Sequence, residues 1–363
     1  MIRAETMQTV RQRFGAKGSI KRLARFLLLS LALPWSIHGA GAAGLQLGPF
    51  ERTRPKTLAV ASGPQPFDEH DALHGSLADE ALCRSIPDAL WLESGAGGHC
   101  IRVYSAGAKR EAGRAIVYFS GDAMLRSRSG VRSIGASYLR RSPDGIRADM
   151  RDWHRQAGIP VMFVARPGLY GSSGDHNQRR LPDEIEILDA ALDQLKARHG
   201  IGSFILVGQS GGGHVVAALL SRRSDVHAAV VSSGLLSVKR VMQVWDRRRT
   251  VPGWLMQDET RFVDPVDEVE AIAHPPPGGI HVLSDPEDTV IPFSTQLHYV
   301  RRLRSAGLSP YHFYARASDP ARHALFPQAQ ATASLLARGA DAASVLDMLQ
   351  GLEREAFGSP AAR

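Results

Sequence analysis

Phe204-Ile-Leu-Val-Gly-Gln-Ser210-Gly-Gly-Gly-His214 is the stretch whose reading decides the fold. Four apolar residues run into a glycine. A serine follows, with glycines two positions before it and directly after it, so that Gly208-Gln-Ser210-Gly-Gly212 reads G-x-S-x-G. His214-Val-Val-Ala-Ala-Leu-Leu-Ser221 is then compatible with a helix. The sequence predicts strand, sharp turn, helix. Such a turn needs residues without side chains beside the serine, because the chain reverses within a few residues. The serine Oγ is then presented at the carboxyl edge of a sheet, with the free N–H groups and positive dipole end of a helix behind it. A glycine-rich turn carrying a solvated serine has the same short motif, so the surroundings must carry the reading.

Outward from this stretch the same rhythm recurs. His99-Cys-Ile-Arg-Val-Tyr-Ser105 alternates like a strand. Ala115-Ile-Val-Tyr-Phe119, Pro160-Val-Met-Phe-Val-Ala165, Ala228-Ala-Val-Val-Ser232, Ile280-His-Val-Leu283 and Tyr311-His-Phe-Tyr-Ala315 are short apolar runs. Between them lie helix-compatible segments at 133–157, 181–198 and 295–306. Continuous apolar runs alternating with amphipathic stretches describe a buried, mostly parallel sheet with helices on both faces, an α/β class. Residues 43–98 are irregular in pattern and are expected to wrap the domain edge. No repeat or linker appears, so residues 43–363 are read as one domain, with an N-terminal extension over 43–109 and a small cap insertion at about 235–265.

Composition narrows the function classes. Of 363 residues, 44% are hydrophobic and 22% charged, which excludes disorder. No apolar run approaches ~18 residues, which excludes a multi-span membrane protein. The net charge of +8 invites a nucleic-acid reading. However, the first 42 residues hold seven basic side chains and one acidic, so the rest carries 37 basic and 35 acidic. No nucleic-acid partner is expected. The basic head is followed by the apolar Phe26-Leu-Leu-Leu-Ser-Leu-Ala-Leu-Pro-Trp-Ser-Ile37, then by small residues at Ala40 and Ala42. Residues 1–42 read as a secretory signal cut after about Ala42, with Met7 an alternative start. The mature protein is expected in the periplasm or outside the cell, without a stable membrane anchor. Export agrees with the cysteines: Cys83 and Cys100 are a pairable number in an oxidising compartment, and a bridge would contribute about 3 kcal/mol. Two buried free thiols are the alternative. No Cys/His cluster at zinc spacing occurs, and no metal or organic cofactor is expected.

A nucleophilic serine needs a base, and the base an orienting acid. The run ending at Leu283 continues Ser-Asp285-Pro-Glu-Asp288-Thr-Val-Ile-Pro292, so two acids follow a strand's carboxyl end. Asp288 is preferred, with Asp285 the competitor and a turn aspartate the bland reading of either. After the last strand-like run comes His323, in a loop able to swing over the sheet edge. His281 and His312 lie inside strand runs, and His214 points along its own helix, so His323 is the candidate base on placement.

The order Ser210…Asp288…His323 resembles that of the α/β-hydrolase superfamily. Arg166-Pro-Gly-Leu-Tyr-Gly-Ser-Ser-Gly174 resembles its R-G-x-G-x-S loop, and Asp288-Thr-Val-Ile-Pro292 its D-x-x-V-P segment. The resemblance covers about residues 110–335. It implies the α/β-hydrolase fold, a serine hydrolase acting through an acyl-enzyme, and an oxyanion hole made by the N–H of Gly211 and one from the loop after an earlier strand. That loop usually reads His-Gly; here it reads Phe119-Ser-Gly-Asp122-Ala, so the second donor is Asp122, with Ala123 the runner-up. Its carboxylate is then expected to turn away from the oxyanion, toward an arginine. The expected substrate is a small ester, with a short peptide as the rival; a non-catalytic binding protein on the same fold is a different class, and transfer to an acceptor other than water is open. The oligomeric state is not encoded. An Arg-rich stretch, Arg247-Arg-Arg249, lies in the cap and reads as a solvated face or as a site for acidic substrates.

Overall fold

The computed structural model describes residues 44–357, apart from 96, 109, 110, 251 and 253–257. The leader read at 1–42 and Trp254 of the cap lie outside the described residues. Eight strands form the central sheet: β1 (Ala89–Ser94), β2 (Gly97–Ala106), β3 (Arg114–Phe119), β4 (Val161–Val164), β5 (Ser203–Gln209), β6 (Val226–Ser232), β7 (Ile280–Ser284) and β8 (Tyr311–Tyr314). Their spatial order is β1-β2-β4-β3-β5-β6-β7-β8. The β1–β2 and β2–β4 pairs are antiparallel and the remaining five are parallel. This is the α/β-hydrolase architecture.

The longer helices are α1 (Pro143–Ala157), α2 (Pro182–His199), α3 (Gly211–Leu220), α4 (Val238–Asp246), α5 (Phe293–Ser305), α6 (Phe326–Ala337) and α7 (Ala342–Phe357). Side chains alternate across a strand, so β5 feeds both faces. Phe204 and Leu206 pack with α2, α3 and α5, whereas Ile205 and Val207 pack with α1, α6 and α7. All four residues are fully buried, as a doubly covered parallel strand requires. Each such side chain contributes roughly 1.5–3 kcal/mol. Trp153 Nε1 donates to Ser334 Oγ at 3.1 Å, fastening α1 to α6 beneath the sheet.

Two sequence expectations need correction. The segment 133–157 is not one helix. A hairpin of Met124–Arg126 with Arg132–Ile134 comes first, then a single turn at Ala136–Leu139, and α1 begins only at Pro143. Proline lacks an N–H and suits a first helical position, and Ser142 caps the helix through Gly145 N at 3.2 Å. The segment 43–98, read as irregular, holds β1, which joins the central sheet beside β2, the strand read at His99–Ser105. β1 is an edge strand whose outward positions Ala89 and Trp91 are apolar, which hides its alternation until Glu93. Cys83, in a short helix at Glu80–Ser85, is bonded to Cys100 of β2, tying this extension to the sheet.

The parallel register aligns the strand ends. Phe119 stands beside Gly208, Gln209 beside Ser232, and Ser232 beside Leu283. The loops leaving β3, β5 and β7 therefore emerge along one edge, where open α/β sheets hold their ligands. The insertion between β6 and β7 places α4 over this edge. Val238, Val241 and Met242 bury against Phe262 and Ile291, and Asp264 accepts from Val238 N and Lys239 N at 2.8 and 3.0 Å. No described helix is long and apolar enough to cross a membrane.

Candidate active site

Ser210 occupies the turn between β5 and α3 with φ 55° and ψ −117°. A non-glycine residue there is strained, and the surroundings over-determine it. Its N–H donates to Ser232 O at 2.9 Å, and its carbonyl accepts from Leu235 N at 3.1 Å. A Cβ on Gly208 would lie 2.2 Å from Gly212 O, so the turn closes only around a bare backbone. The Gly211 N–H, at the first position of α3, has no intrahelical acceptor. The loop after β3 comes close: a Cβ built on Gly121 would lie 3.2 Å from Ser210 Cβ and 3.8 Å from its Oγ. The Asp122 and Ala123 N–H groups donate to no described residue.

His323 Nδ1 and Asp288 Oδ2 are 2.9 Å apart. The Asp288 side chain is wholly buried and its other oxygen accepts from Val290 N and Ile291 N at 2.8 and 2.9 Å. A carboxylate only accepts, so the proton lies on Nδ1 and the Nε2 lone pair is left free. Asp285 is used otherwise: its carboxylate takes Arg322 Nε at 2.7 Å, Arg322 Nη2 at 3.0 Å and Ala317 N at 2.8 Å. It thereby braces the loop that carries His323. The other histidines are occupied elsewhere. His214 Nε2 meets Val263 O at 2.8 Å and His281 Nε2 meets Gly278 O at 2.8 Å. His312 Nε2 meets Ser284 Oγ at 3.1 Å. Burial pushes His214 and His312 down to about 4, so both are neutral.

No hydrogen bond joins Ser210 Oγ to the His323 ring among the described residues; in unliganded sites such bonds commonly tighten only with substrate. Their loops are nevertheless linked. Gln209 Nε2 donates to His323 O at 2.9 Å, and Gln209 Oε1 accepts from Ser232 Oγ at 2.6 Å. The residue before the serine is thus a strut between β6 and the histidine loop. Sequence reading passed over it as the unspecified second position of the motif. Asp319 completes the support, accepting from His323 N at 2.9 Å and Ala324 N at 2.6 Å.

Asp122 turns its carboxylate to arginines, as expected, but keeps it close to the elbow. Its carboxylate lies against Gly211, where a Cβ would be 2.2 Å from Oδ1. Its charge is answered in place. Arg166 Nη1 is 2.8 Å from Oδ1, Arg179 Nε is 3.0 Å from Oδ2, and Arg180 Nη2 also contacts Oδ2. Burial raises the Asp122 pKa, but Arg180, Arg179 and Arg166 outweigh it and hold the carboxyl well below its usual range. Arg166 Nε also donates to Glu184 Oε1 of α2 at 2.8 Å. His176 is buried among these cations and is held neutral. Three arginines against two carboxylates leave the elbow in a positive surrounding, which suits developing oxyanion charge. The sequence named Asp122 and Arg166 separately; Arg179, Arg180 and Glu184 carried no signal that would place them here.

No protein-family model and no curated protein matches the chain. Solved structures similar to it include the Pyrococcus furiosus esterase Pf2001, at 14% identity and TM-score 0.49, covering 69% of this chain and 91% of that one. Another is the Pyrococcus horikoshii acylaminoacyl peptidase, at 12% and 0.48, covering 77% and 43%. A lipase/esterase from Lactobacillus plantarum aligns at 16% and 0.44, covering 69% and 97%. The reading of the fold rests on the strand order and the elbow.

Removing Asp122 strands the buried guanidinium groups of Arg179 and Arg180 and leaves Arg166 only Glu184 as a counter-charge. Asp122→Ala is expected to lower stability by about 3–5 kcal/mol in denaturant unfolding. Because its native pKa is depressed, its contribution is full above the unfolded carboxylate value of about 4 and is lost as pH falls through the native one. The variant should therefore lose less stability than wild type on acidification below about pH 4. Equal stability and equal acid sensitivity in the two proteins would contradict this account.

Proposed function

We propose that the protein is an exported serine hydrolase that cleaves carboxylic esters. The observation that carries the proposal is the strained Ser210 elbow, joined through Gln209 to the loop of His323, whose ring meets the buried Asp288 through Nδ1. In this reading Ser210 Oγ attacks the ester carbonyl and His323 Nε2 takes its proton. The oxyanion rests on the N–H groups of Gly211 and Asp122. His323 then protonates the departing alcohol, and water, deprotonated by the same imidazole, releases the acid from the acyl-enzyme. Asp288 holds the ring and stabilises its cation. A small ester is the substrate class, and no metal enters any step.

Wild-type protein is expected to turn over 4-nitrophenyl esters of short acids faster than matched peptide 4-nitroanilides. Ser210→Ala should lower ester kcat by ~10⁴-fold or more. A Ser210→Ala protein with near-wild-type turnover would overturn the nucleophile assignment. Faster anilide than ester cleavage would move the protein to the peptidases.

Export is part of the proposal. The basic head, the apolar run and Ala40/Ala42 support it, as does the Cys83–Cys100 bond, since structural disulfides persist in oxidising compartments. The intact mass of protein secreted by its native host is expected to start near residue 43 with both cysteines oxidised. A cytoplasmic product retaining residues 1–42 would refute it.

A further inference from the structure

The strand that leaves the Asp122 loop, Met124–Arg126, pairs antiparallel with Arg132–Ile134, and Arg126 stands directly opposite Arg132. Like charges in that position disfavour a strand pair. Arg132 is satisfied by neutral acceptors, Asn177 Oδ1 and Glu51 O, both at 2.7 Å. Arg126 is half-buried and makes no hydrogen bond or ion pair with any described residue. None of its nitrogens is sealed from solvent, so the cation stands with water and without a bonded counter-charge.

The neighbours deepen the deficit. Burial, then Arg179, Arg249 and Arg132, push the Arg126 pKa down to about 10 against the pull of Asp246, so it stays a cation at neutral pH. The acids at hand are already engaged. Asp122 is shared by Arg166, Arg179 and Arg180, and Asp246 takes Arg249 Nη1 at 2.6 Å. Asp175 and Glu51 act on Arg132. The position is also informative. Arg126 is four residues beyond Asp122, within about 13 Å along an extended chain. Thr250 N donates to Arg128 O at 2.9 Å, which brings the cap segment bearing Arg249 against the same hairpin. Arg179, the third cation, bonds Asp122 itself.

We propose that Arg126, flanked by Arg179 and Arg249, is an anion subsite that holds a carboxylate of the substrate while the scissile carbonyl lies at Ser210. The substrates are then esters that carry a free carboxylate on their acyl or alcohol side. This rests on the hydrolase reading above, and the experiment separates the two.

Mono-4-nitrophenyl glutarate is assayed against its methyl ester, and 4-carboxyphenyl butyrate against the corresponding methoxycarbonyl ester. In at least one pair kcat/KM is expected to favour the acid by about tenfold or more, as a charge-assisted contact implies. That ratio should shrink toward one in Arg126→Gln and as ionic strength rises from about 0.05 to 0.5 M. A wild-type ratio at or below one in both pairs, or an unchanged ratio in Arg126→Gln, overturns the subsite. In parallel, glutarate binding to Ser210→Ala protein is measured calorimetrically, with and without Arg126→Gln. Binding weakened about tenfold by Arg126→Gln supports the subsite even if no ester is turned over, in which case only the hydrolase reading falls. Ester turnover with no charge preference and no Arg126-dependent binding leaves the hydrolase and removes the subsite.

Discussion

The site depends on one ion cluster, Asp122 with Arg166, Arg179 and Arg180. It joins the loops after the neighbouring strands β3 and β4 to the segment leading into α2. Glu184 extends it onto α2 through Arg166. The cluster lies on the glycine that follows Ser210, so position 211 has no room for a side chain. The backbone of the elbow at Gly211, one of the proposed oxyanion donors, thereby packs against this side-chain cluster. A buried cluster of this kind gains little net stability over an apolar core, but losing one member is expensive. Its value is positional.

The catalytic candidates are held by backbone more than by one another. Asp288 is fixed by two N–H groups in its own turn, and His323 by Asp319 and by the Arg322–Asp285 pair. Gln209 links the elbow to the histidine loop without touching the imidazole. The imidazole is therefore oriented toward Asp288 by groups other than Ser210. Preorganisation of this sort is what acyl transfer demands of the base and of the oxyanion donors.

Much of this was legible in the sequence because it rests on local pattern. The apolar runs of β3 to β8 announce buried parallel strands, and G-x-S-x-G announces an elbow since only bare backbone fits there. The His323 loop was legible from its place after the last strand. β1 was not, because its outward positions Ala89 and Trp91 are apolar and half-buried, so no polar residue marks the alternation before Glu93. Nor was the break before Pro143, where polar residues over 133–142 fit hairpin and helix equally. Gln209, Arg179 and Arg180 were invisible for another reason: their roles come from partners far away in sequence, 114 residues for Gln209 and 57 and 58 for the arginines. Long-range polar contacts leave no periodicity to read.

The central claim is that this framework activates a single serine. It is tested most directly by reacting the folded protein with a fluorophosphonate and mapping the adduct by peptide mass. The account predicts one equivalent of label, located on Ser210, and none in His323→Ala. Label on another residue, or full labelling of Ser210 without His323, would contradict it.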